Sequence, residues 1–393
     1  MPSSSNLSPL AFLLSPHPWT ALGVAVIALV AYDVYATILH ARGRGGPVSE
    51  TLNRGVWRAA RLFASRLPRQ RRHRALNVAG PLLMPGLIVV YLLLLTAGFG
   101  LVYYPRMPAQ FVLAAEAEGG AWLWSLYFSG ITLTTVGYGD IMPRTTAMRF
   151  TALAEGASGF ALISLSVTYL ITVYRALEHK RAVALSFYHQ AEEGADVAGF
   201  ISHHFVSGRF YGLETALRSA TRDTQRLLES HIEHPIIHFF HPVEIHKSMP
   251  RMVFILLETC AVLRSCLDED EYPETVRHPE VRTLEASTRH VLAELAGVLR
   301  LERVGGARPE TVSEDSRRWS RRYRRTLRQL KSEGVKTRRD EAEGFEVYRA
   351  RREEWDTRLR LFADFLGYDW DEITGDRDLR YAADDEMEIP EKQ

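Results

Sequence analysis

The sequence predicts an all-α membrane protein whose second half is a soluble helical domain. Apolar runs are concentrated before about residue 175, whereas charged residues lie mostly after it. From about residue 177 onward, no segment alternates apolar and polar residues as a half-buried strand does. The formal net charge of +1 averages these two halves and indicates no partner by itself. Because no basic stripe carries interleaved aromatic residues, we expect no nucleic-acid partner.

Changes in composition divide the chain into five segments. Residues 1–40 hold an N-terminal segment and a first membrane helix, and residues 41–80 form a basic cytoplasmic or interfacial linker. Residues 81–178 hold two further membrane helices and the segment between them. Residues 179–305 form a helical cytoplasmic domain, and residues 306–393 form a charged helical region with an acidic tail. This order predicts a membrane half followed by a soluble half.

Three apolar runs are long enough to cross a bilayer. Residues 19–40 and 82–104 are each roughly 33 Å long as helices, against a hydrocarbon core of about 30 Å. Residues 145–174, at roughly 45 Å, should tilt and project into the cytoplasm. The first run resembles a secretory signal only in its position, because residues 1–18 contain no Lys or Arg. We therefore predict that it is retained as a helix.

The basic linker sets the orientation. Its residues 41–76 carry ten arginines and the single acid Glu50. The positive-inside rule places this linker in the cytoplasm, which puts the N-terminus outside and the C-terminal half inside. A multi-pass protein of the plasma membrane is the expected setting. Apolar residues from 52 to 63 are partly amphipathic, so the linker is either a helix on anionic lipid or a solvated helix.

The segment between the second and third runs does not read as a simple external loop. Residues 121–133 form an aromatic-rich helical run that is too short to span the membrane. A glycine-containing stretch follows it directly: Thr134, Thr135, Val136, Gly137, Tyr138, Gly139 and Asp140. Non-helical backbone at membrane depth is tolerated only where it is buried in protein or lines a water-filled path. A short helix and an extended return strand therefore indicate a pore element.

The chemistry of cation passage requires these residue types. A dehydrated cation such as potassium needs rings of carbonyl oxygens in place of its water. Successive carbonyls point one way only if alternate residues are left-handed, which Gly137 and Gly139 allow without a steric penalty. The Thr135 hydroxyl adds an innermost ring. Tyr138 should face away from the ion, braced by Trp122, Trp124 and Tyr127, and Asp140 should place negative charge near the outer mouth.

The stretch Thr-Thr-Val-Gly-Tyr-Gly-Asp, with its short aromatic helix and two flanking membrane helices, resembles the pore module of potassium channels. The resemblance is greatest to the two-transmembrane bacterial kind and covers about residues 82–178. It implies a homotetramer, with potassium bound by carbonyls of Thr135, Val136, Gly137 and Tyr138. It also implies no enzymatic activity and no cofactor other than permeant potassium. The first membrane helix is an addition to this plan.

The resemblance also assigns positions in the inner helix. Counting from Asp140 places a gating hinge at Gly159, with Gly156 as a neighbouring alternative. For either glycine, close helix packing is the competing interpretation. The same count implies that four residues face the cavity and gate: Phe160, Ile163, Val167 and Ile171. The sequence departs from some channels at Ile131, where they carry a glutamate that bonds the mouth aspartate. No helix with repeated arginines is present among the membrane segments, so voltage sensing by that route is not expected.

Two acids lie inside apolar runs, where an ionised carboxylate costs at least about 2.5–3.5 kcal/mol without a partner. We expect Glu155 to bond hydroxyls behind the filter, such as those of Ser129 or Thr132. We expect Asp33, nearer the cytoplasmic end, to pair with a basic residue. For both acids a structural hydrogen bond is favoured over a gating role.

The soluble half contains no GxGxxG motif and no cyclic-nucleotide barrel, so a Rossmann-type regulatory domain is not expected. Residues 182–302 resemble a helical bundle, and residues 305–309 a linker. The unusual feature is a histidine cluster that includes His231, His234 and His238. These rings are hydrogen-bonded or exposed at a helix corner, or they sense pH, or they hold zinc. The structural role is the favoured one of the three.

Passive potassium conduction, gated by the inner helix and modulated by the helical domain, is the leading prediction. One alternative is a regulatory or sensory membrane protein in which the soluble half signals and the pore is accessory. A subunit of a potassium uptake transporter is a further alternative, but such proteins carry four degenerate filter copies, whereas this chain has one. Cys260 and Cys266 match no metal or disulfide pattern and are expected to be buried thiols.

Overall fold

The computed structural model describes residues 18–40, 45–113, 119–190, 197–301 and 309–376. Among these residues, three helices are long and apolar enough to cross a membrane: Pro18–Leu39, Arg71–Arg106 and Thr146–Gln190. The predicted all-α membrane fold is confirmed. The N-terminal residues before 18, the basic residues Arg42 and Arg44, and the tail from 377 onward lie outside the described residues.

The elements up to residue 190 form the following series: α1 (Pro18–Val34), a π-helical turn (Tyr35–Leu39), α2 (Pro47–Ala64), α3 (Arg69–Tyr103), a 3₁₀ turn (Tyr104–Arg106), β1 (Phe111–Leu113), α4 (Ala121–Leu133), β2 (Ile141–Pro143) and α5 (Thr146–Gln190). Strands β1 and β2 pair antiparallel, with Val112 opposite Met142. They join the segment before α4 to the segment after the filter. Each strand has three residues, too few for an alternating pattern to be visible in the sequence.

The elements from residue 197 onward form a second series: α6 (Val197–His203), β3 (Phe205–Val206), β4 (Arg209–Phe210), α7 (Leu213–Glu233), two 3₁₀ turns (Pro235–Phe239 and Ile245–Lys247), α8 (Met249–Ser265), α9 (Pro273–Val276), α10 (Pro279–Leu299), α11 (Pro309–Ser332), α12 (Glu341–Glu353), α13 (Asp356–Leu366) and α14 (Trp370–Thr374). Strands β3 and β4 form a two-residue hairpin. The predominance of helix agrees with the sequence-based expectation.

Two membrane helices are longer than the sequence predicts. Helix α3 begins at Arg69 rather than near residue 82, and it contains Pro81 and Pro85. Helix α5 continues to Gln190 rather than ending near residue 174. Hydropathy detects only the part of a helix that lies in hydrocarbon, whereas backbone hydrogen bonding continues into the polar residues on either side. The predicted ends were therefore those of the apolar runs, not those of the helices.

The contacts within the chain define two units, and the first contains residues up to 60, 78–174 and 232–237. In this unit α1 packs closely against α3, because a Cβ added at Gly23 would lie 2.4 Å from the Gly98 carbonyl oxygen. Arg106, buried in the 3₁₀ turn that follows α3, donates to the Thr20 hydroxyl over 2.8 Å. These contacts make α1 part of the bundle, which agrees with a retained helix.

The second unit contains residues 61–77, 175–231 and 238–393 and is built around α8. Every residue of α8 except Arg264 is buried, and α6, α10, α12 and α13 pack against it. Cys260 and Cys266 are free thiols in this core. Apolar residues of the charged C-terminal region are also buried, among them Tyr323, Leu327, Leu330, Tyr348, Trp355, Leu359 and Phe362.

A buried ion pair also lies in this second core. Arg352 is 1% exposed and donates to the Glu258 carboxylate over 2.8 Å. Asp356 and the Tyr348 hydroxyl complete the hydrogen bonding around it. A charge at such depth is tolerated only when its partners are in place. The local sequence gives no sign of this network, because Glu258 lies 94 residues from Arg352.

Candidate functional site

The segment predicted to form the filter, residues 134–140, begins where α4 ends at Leu133, and we call it the filter segment. The backbone N–H groups of Val136 and Gly137 both donate to the Ile131 carbonyl oxygen, over 2.8 and 3.2 Å. The Thr134 hydroxyl donates to the Gly130 carbonyl over 2.7 Å. The segment therefore folds back on the last turn of α4 instead of extending the helix, and α4 holds the start of the filter in position.

The backbone of the filter alternates in handedness. Thr135, Gly137 and Gly139 have φ values of 60°, 56° and 80°. The left-handed conformation was expected at Gly137 and Gly139, because glycine has no Cβ. The left-handed conformation of Thr135 was not predicted, since it costs a residue with a Cβ roughly 1–2 kcal/mol. The alternation is the geometry that turns successive carbonyls toward one side of the strand.

The filter is open on one side within a single chain. The exposed fraction of the Tyr138 side chain is 73%, and that of Val136 is 52%. The aromatic residues expected to brace Tyr138 remain partly exposed, with Trp122 at 46% and Tyr127 at 39%. Tyr127 is instead a hydrogen-bond partner of Asp140. Asp140, predicted to lie at the outer mouth, thus has a partner on α4 even though Ile131 stands where some channels carry a glutamate.

Glu155 joins three helices behind the filter. The Tyr103 hydroxyl on α3 donates to Glu155 Oε2 over 2.7 Å. The Ser129 hydroxyl on α4 contacts Glu155 Oε1 and also lies 3.0 Å from the Thr96 carbonyl oxygen. The expected bond to Ser129 is confirmed, whereas Tyr103 was missed because it lies 52 residues away. Glu155 itself is 0% exposed.

The two candidate hinge glycines differ in their surroundings. A Cβ added at Gly159 would lie 2.0 Å from the Leu133 carbonyl oxygen, so this glycine permits close contact between α5 and the end of α4. At Gly156 the nearest atom is the Thr132 carbonyl oxygen at 3.6 Å, an ordinary contact. The packing role is therefore seen at Gly159. The hinge role of either glycine stays a prediction.

The four positions expected to face the cavity form one exposed stripe on α5. The exposed fractions are 70% for Phe160, 45% for Ile163, 53% for Val167 and 49% for Ile171. Their spacing of three or four residues keeps them on one face of a helix. Apolar side chains exposed in this way within a membrane helix face either lipid or a neighbouring copy.

Asp33 has a different role from the one predicted. Its carboxylate accepts hydrogen bonds from the backbone N–H groups of Val48, over 2.7 Å, and Ser49, over 3.0 Å. The Tyr91 hydroxyl donates to the same carboxylate over 2.5 Å. Among the described residues no basic side chain pairs with Asp33, whereas Arg42 and Arg44 lie outside them. Asp33 caps the first turn of α2, where the positive end of the helix dipole stabilises a carboxylate.

The histidine cluster is largely internal. The ring of His231 lies 2.7 Å from the Leu227 carbonyl oxygen and 5.1 Å, between ring centres, from that of His238. Burial, with a smaller effect of Lys180, lowers the pKa of His238 to about 3. His234 packs edge-on against Tyr169. Among the described residues, no three His, Cys, Asp or Glu side chains come together as a metal site.

A second polar cluster was not predicted, and we call it the Glu372 cluster: Arg69, His73, His241, Tyr368 and Glu372. Arg69 Nε donates to the Glu372 carboxylate, which also lies 3.1 Å from His73 Nε2. Burial alone would raise the pKa of the Glu372 carboxyl, but hydrogen bonds from His73 and Arg69 hold it at about 2. The cluster fixes the first turns of α3 to α14.

The fold and the filter geometry define a membrane protein with an ion-channel domain. Residues 88–176 match the family described as "Ion channel", which confirms the pore-module resemblance over this segment. A protein of Bacillus subtilis (strain 168), the uncharacterized membrane protein YdjJ, is 26% identical over 262 residues, which cover 66% of this chain and 74% of that protein. The 262 aligned residues extend well beyond the 89 residues of the matched domain.

A second relative is the voltage-gated potassium channel regulatory subunit KCNG2 of Gallus gallus. It is 29% identical over 127 residues, which cover 31% of this chain and 24% of that protein. The likeness is thus confined to a part of each chain. No solved structure matches the chain significantly.

Proposed function

We propose that four copies of this chain form a potassium-selective channel that conducts passively across the plasma membrane. The observation that carries the proposal is the alternation of left-handed backbone at Thr135, Gly137 and Gly139 within the filter segment. In that geometry the carbonyls of Thr135, Val136, Gly137 and Tyr138 replace the hydration shell of potassium. The protein catalyses no covalent reaction, and potassium is its permeant ligand.

The surfaces that a single chain leaves exposed support a homotetramer. A single filter strand surrounds an ion on one side only, and Val136 and Tyr138 are more than half exposed. Three further copies supply the remaining carbonyls and cover the aromatic side chains of α4. The apolar stripe of Phe160, Ile163, Val167 and Ile171 then lines the cavity, and dewetting of that cavity closes the pore.

The orientation follows from the basic linker. Four of its arginines are exposed, with no ion pair within the described part of the chain: Arg58, Arg66, Arg71 and Arg74. The linker therefore lies at the cytoplasmic face, where these arginines contact anionic lipid. The N-terminus is outside, and the helical half modulates the gate from the cytoplasm. Arg54, Arg61, Arg69 and Arg72 pair with carboxylates of the protein itself.

The test is flux through the purified protein in liposomes. Potassium and rubidium should pass, sodium should be nearly excluded, and barium should block. Mass measurement in detergent should give four subunits. Comparable sodium and potassium permeability would contradict the selectivity, and the absence of any flux would favour a sensory protein with an accessory pore.

A further inference from the structure

A short segment of the C-terminal half is grouped with the membrane helices. Residues 232–237 belong to the first unit, although the residues on both sides of them, 175–231 and 238–393, belong to the second. They comprise the end of α7 and the start of the 3₁₀ turn Pro235–Phe239, and we call them the contact segment. Because this segment packs within the membrane unit and is covalently continuous with α7, a movement of α7 displaces it.

The contact segment touches α5 through a pair of rings. The His234 ring packs edge-on against that of Tyr169, with 5.4 Å between the ring centres and 79° between the ring planes. In such a pair the positive edge of one ring meets the negative face of the other, which stabilises it beyond the area that it buries. Tyr169 is 7% exposed, so the contact lies on the side of α5 that packs within the chain.

Tyr169 lies on the face of α5 opposite the exposed stripe. It precedes Ile171 by two positions, over which a helix turns through about 200°. Residues on this opposite face are buried at helical spacing, among them Leu162, Ser166, Tyr169 and Val173. Because a helix moves as a stiff rod over so short a length, a displacement of Tyr169 also displaces Ile171, which is assigned to the gate.

The contact segment is stiff enough to transmit such a displacement. Pro235 has a fixed φ and disfavours helical backbone at His234, where α7 has already ended. The Ile237 N–H donates to the His234 carbonyl oxygen over 3.0 Å, which closes the turn. Ile236 and Ile237 are 2% and 1% exposed, so burial of their side chains anchors the turn. The His234 ring therefore moves with the contact segment rather than independently of it.

We propose that Tyr169 and His234 are positioning residues of the gate. Their ring contact holds α5 in the position seen here, and a movement of α7 that withdraws His234 releases it. This inference rests on the proposed function, because it requires that α5 carries the gate of an ion channel. It identifies the contact through which the helical half modulates that gate.

The test is a double-mutant cycle on open probability, recorded from single channels of the full-length protein in lipid bilayers. Y169L and H234A should each change the ratio of open to closed channels, and the double variant should change it no further than one single variant does. The coupling expected for one ring pair is roughly two- to tenfold in that ratio. H234F should behave as the unmodified protein, because it keeps a ring at this position.

The matched control is a second ring pair on the same helix. Tyr188, also on α5, stacks on His246 with 4.3 Å between the ring centres, and both residues belong to the second unit. Y188L and H246A should lower the Tm of the purified protein in detergent but leave open probability unchanged. A loss of stability is thereby separated from an effect on the gate.

The proposal is overturned if Y169L and H234A have additive effects, since the two rings then act independently. It is also overturned if H234F changes open probability as much as H234A does, or if the control pair shows the same coupling. Potassium flux through the unmodified protein is measured first. Absence of flux contradicts the proposed function and this inference together, whereas selective flux with an additive cycle contradicts this inference alone.

Discussion

His73 and His241 form a direct ring-to-ring hydrogen bond, with Nδ1 of His73 lying 2.8 Å from Nε2 of His241. The rings are nearly parallel, and Tyr368 stacks on His241 at 4.3 Å between ring centres. His73 Nε2 faces the Glu372 carboxylate, so a chain of hydrogen bonds runs from α14 through α3 to the segment before α8. The first turns of α3 are therefore held by buried polar contacts rather than by apolar packing alone.

E372Q should lower the stability of this cluster by on the order of 3 kcal/mol, because Arg69 and His73 lose their buried anionic partner. The measurement is the shift in Tm of the purified protein in detergent. The matched control is E341Q, since Glu341 is half-exposed and pairs with Lys331 at the surface. Its loss should cost less than about 1 kcal/mol. Equal shifts in the two variants would contradict a special role for Glu372.

The Glu372 cluster should also respond to acid. The pKa of Glu372 is lowered from 4.5 to about 2 in the folded protein. Its contribution is thus complete above pH 4.5 and is lost as the pH falls from 4.5 toward 2.

Acidification from pH 7.5 to 5.5 should lower Tm through the buried histidines. Burial holds the pKa of His231 and His238 below the ordinary value of 6.5. The unfolded chain therefore binds protons first, and stability falls as the pH drops below 6.5 toward the folded pKa. Replacing His234 and His238 together with Gln should flatten the response of open probability and should reduce that of Tm, since His231 remains buried. A Tm that is constant across this range would contradict the burial of these rings as neutral groups.

E155Q should preserve the tetramer and its conduction, whereas E155A should impair both. The Ser129 hydroxyl has one proton and two acceptors within reach, Thr96 O and Glu155 Oε1. The hydroxyl can donate its proton to only one of these oxygens, and the Thr96 carbonyl cannot donate in return. Residue 155 must therefore supply a donor, which a protonated carboxyl or the amide of E155Q provides. Alanine leaves the hydroxyls of Ser129 and Tyr103 without that partner, at a cost of about 1–3 kcal/mol each. Tetramer dissociation temperature and flux measure the effect, and equal defects in both variants would contradict this account.

G137A should abolish selective conduction. Gly137 has a φ of 56°, which a residue with a Cβ rarely adopts. The control is G297A on α10, where an added Cβ meets nothing within 4 Å and no left-handed backbone is needed. The potassium-to-sodium flux ratio in liposomes should collapse in the first variant and remain unchanged in the second. Selective flux through G137A would reject the assignment of the filter backbone.

I171N should raise open probability, because a polar side chain wets a constriction that closes by dewetting. Ile171 is 49% exposed on the stripe of α5 that is assigned to the cavity. L185N on the same helix, beyond the predicted membrane segment, is the control. Single-channel recording measures both variants. An unchanged open probability in I171N would reject this residue as the gate.

Local sequence was sufficient for features that depend on local chemistry. Three apolar runs predicted three membrane helices, and the spacing of Gly137 and Gly139 predicted two left-handed residues. The bond between Glu155 and Ser129 also followed, since a carboxylate at that depth needs a hydroxyl and the resemblance placed one behind the filter. In each of these cases one local physical requirement was enough to make the prediction.

Long-range polar pairs were not predictable from sequence. His73 meets Glu372 across 299 residues, and no periodicity connects positions that far apart. Asp33 was assigned a basic partner because arginines follow it, whereas backbone N–H groups of α2 satisfy it instead. Thr135 was missed for the opposite reason. Intrinsic preference opposes its conformation, and hydrogen bonds from the next two residues to Ile131 overrule that preference.

Two prolines in α3 determine where that helix can bend. Pro81 and Pro85 lie four residues apart, so they remove two backbone donors from the same side of the helix. The carbonyls four residues before each proline lose their helical partners, and bending stiffness is lowest there. Torque applied at the N-terminal end of α3 is then absorbed by curvature over about one turn, which makes this stretch an elastic joint built into a continuous helix.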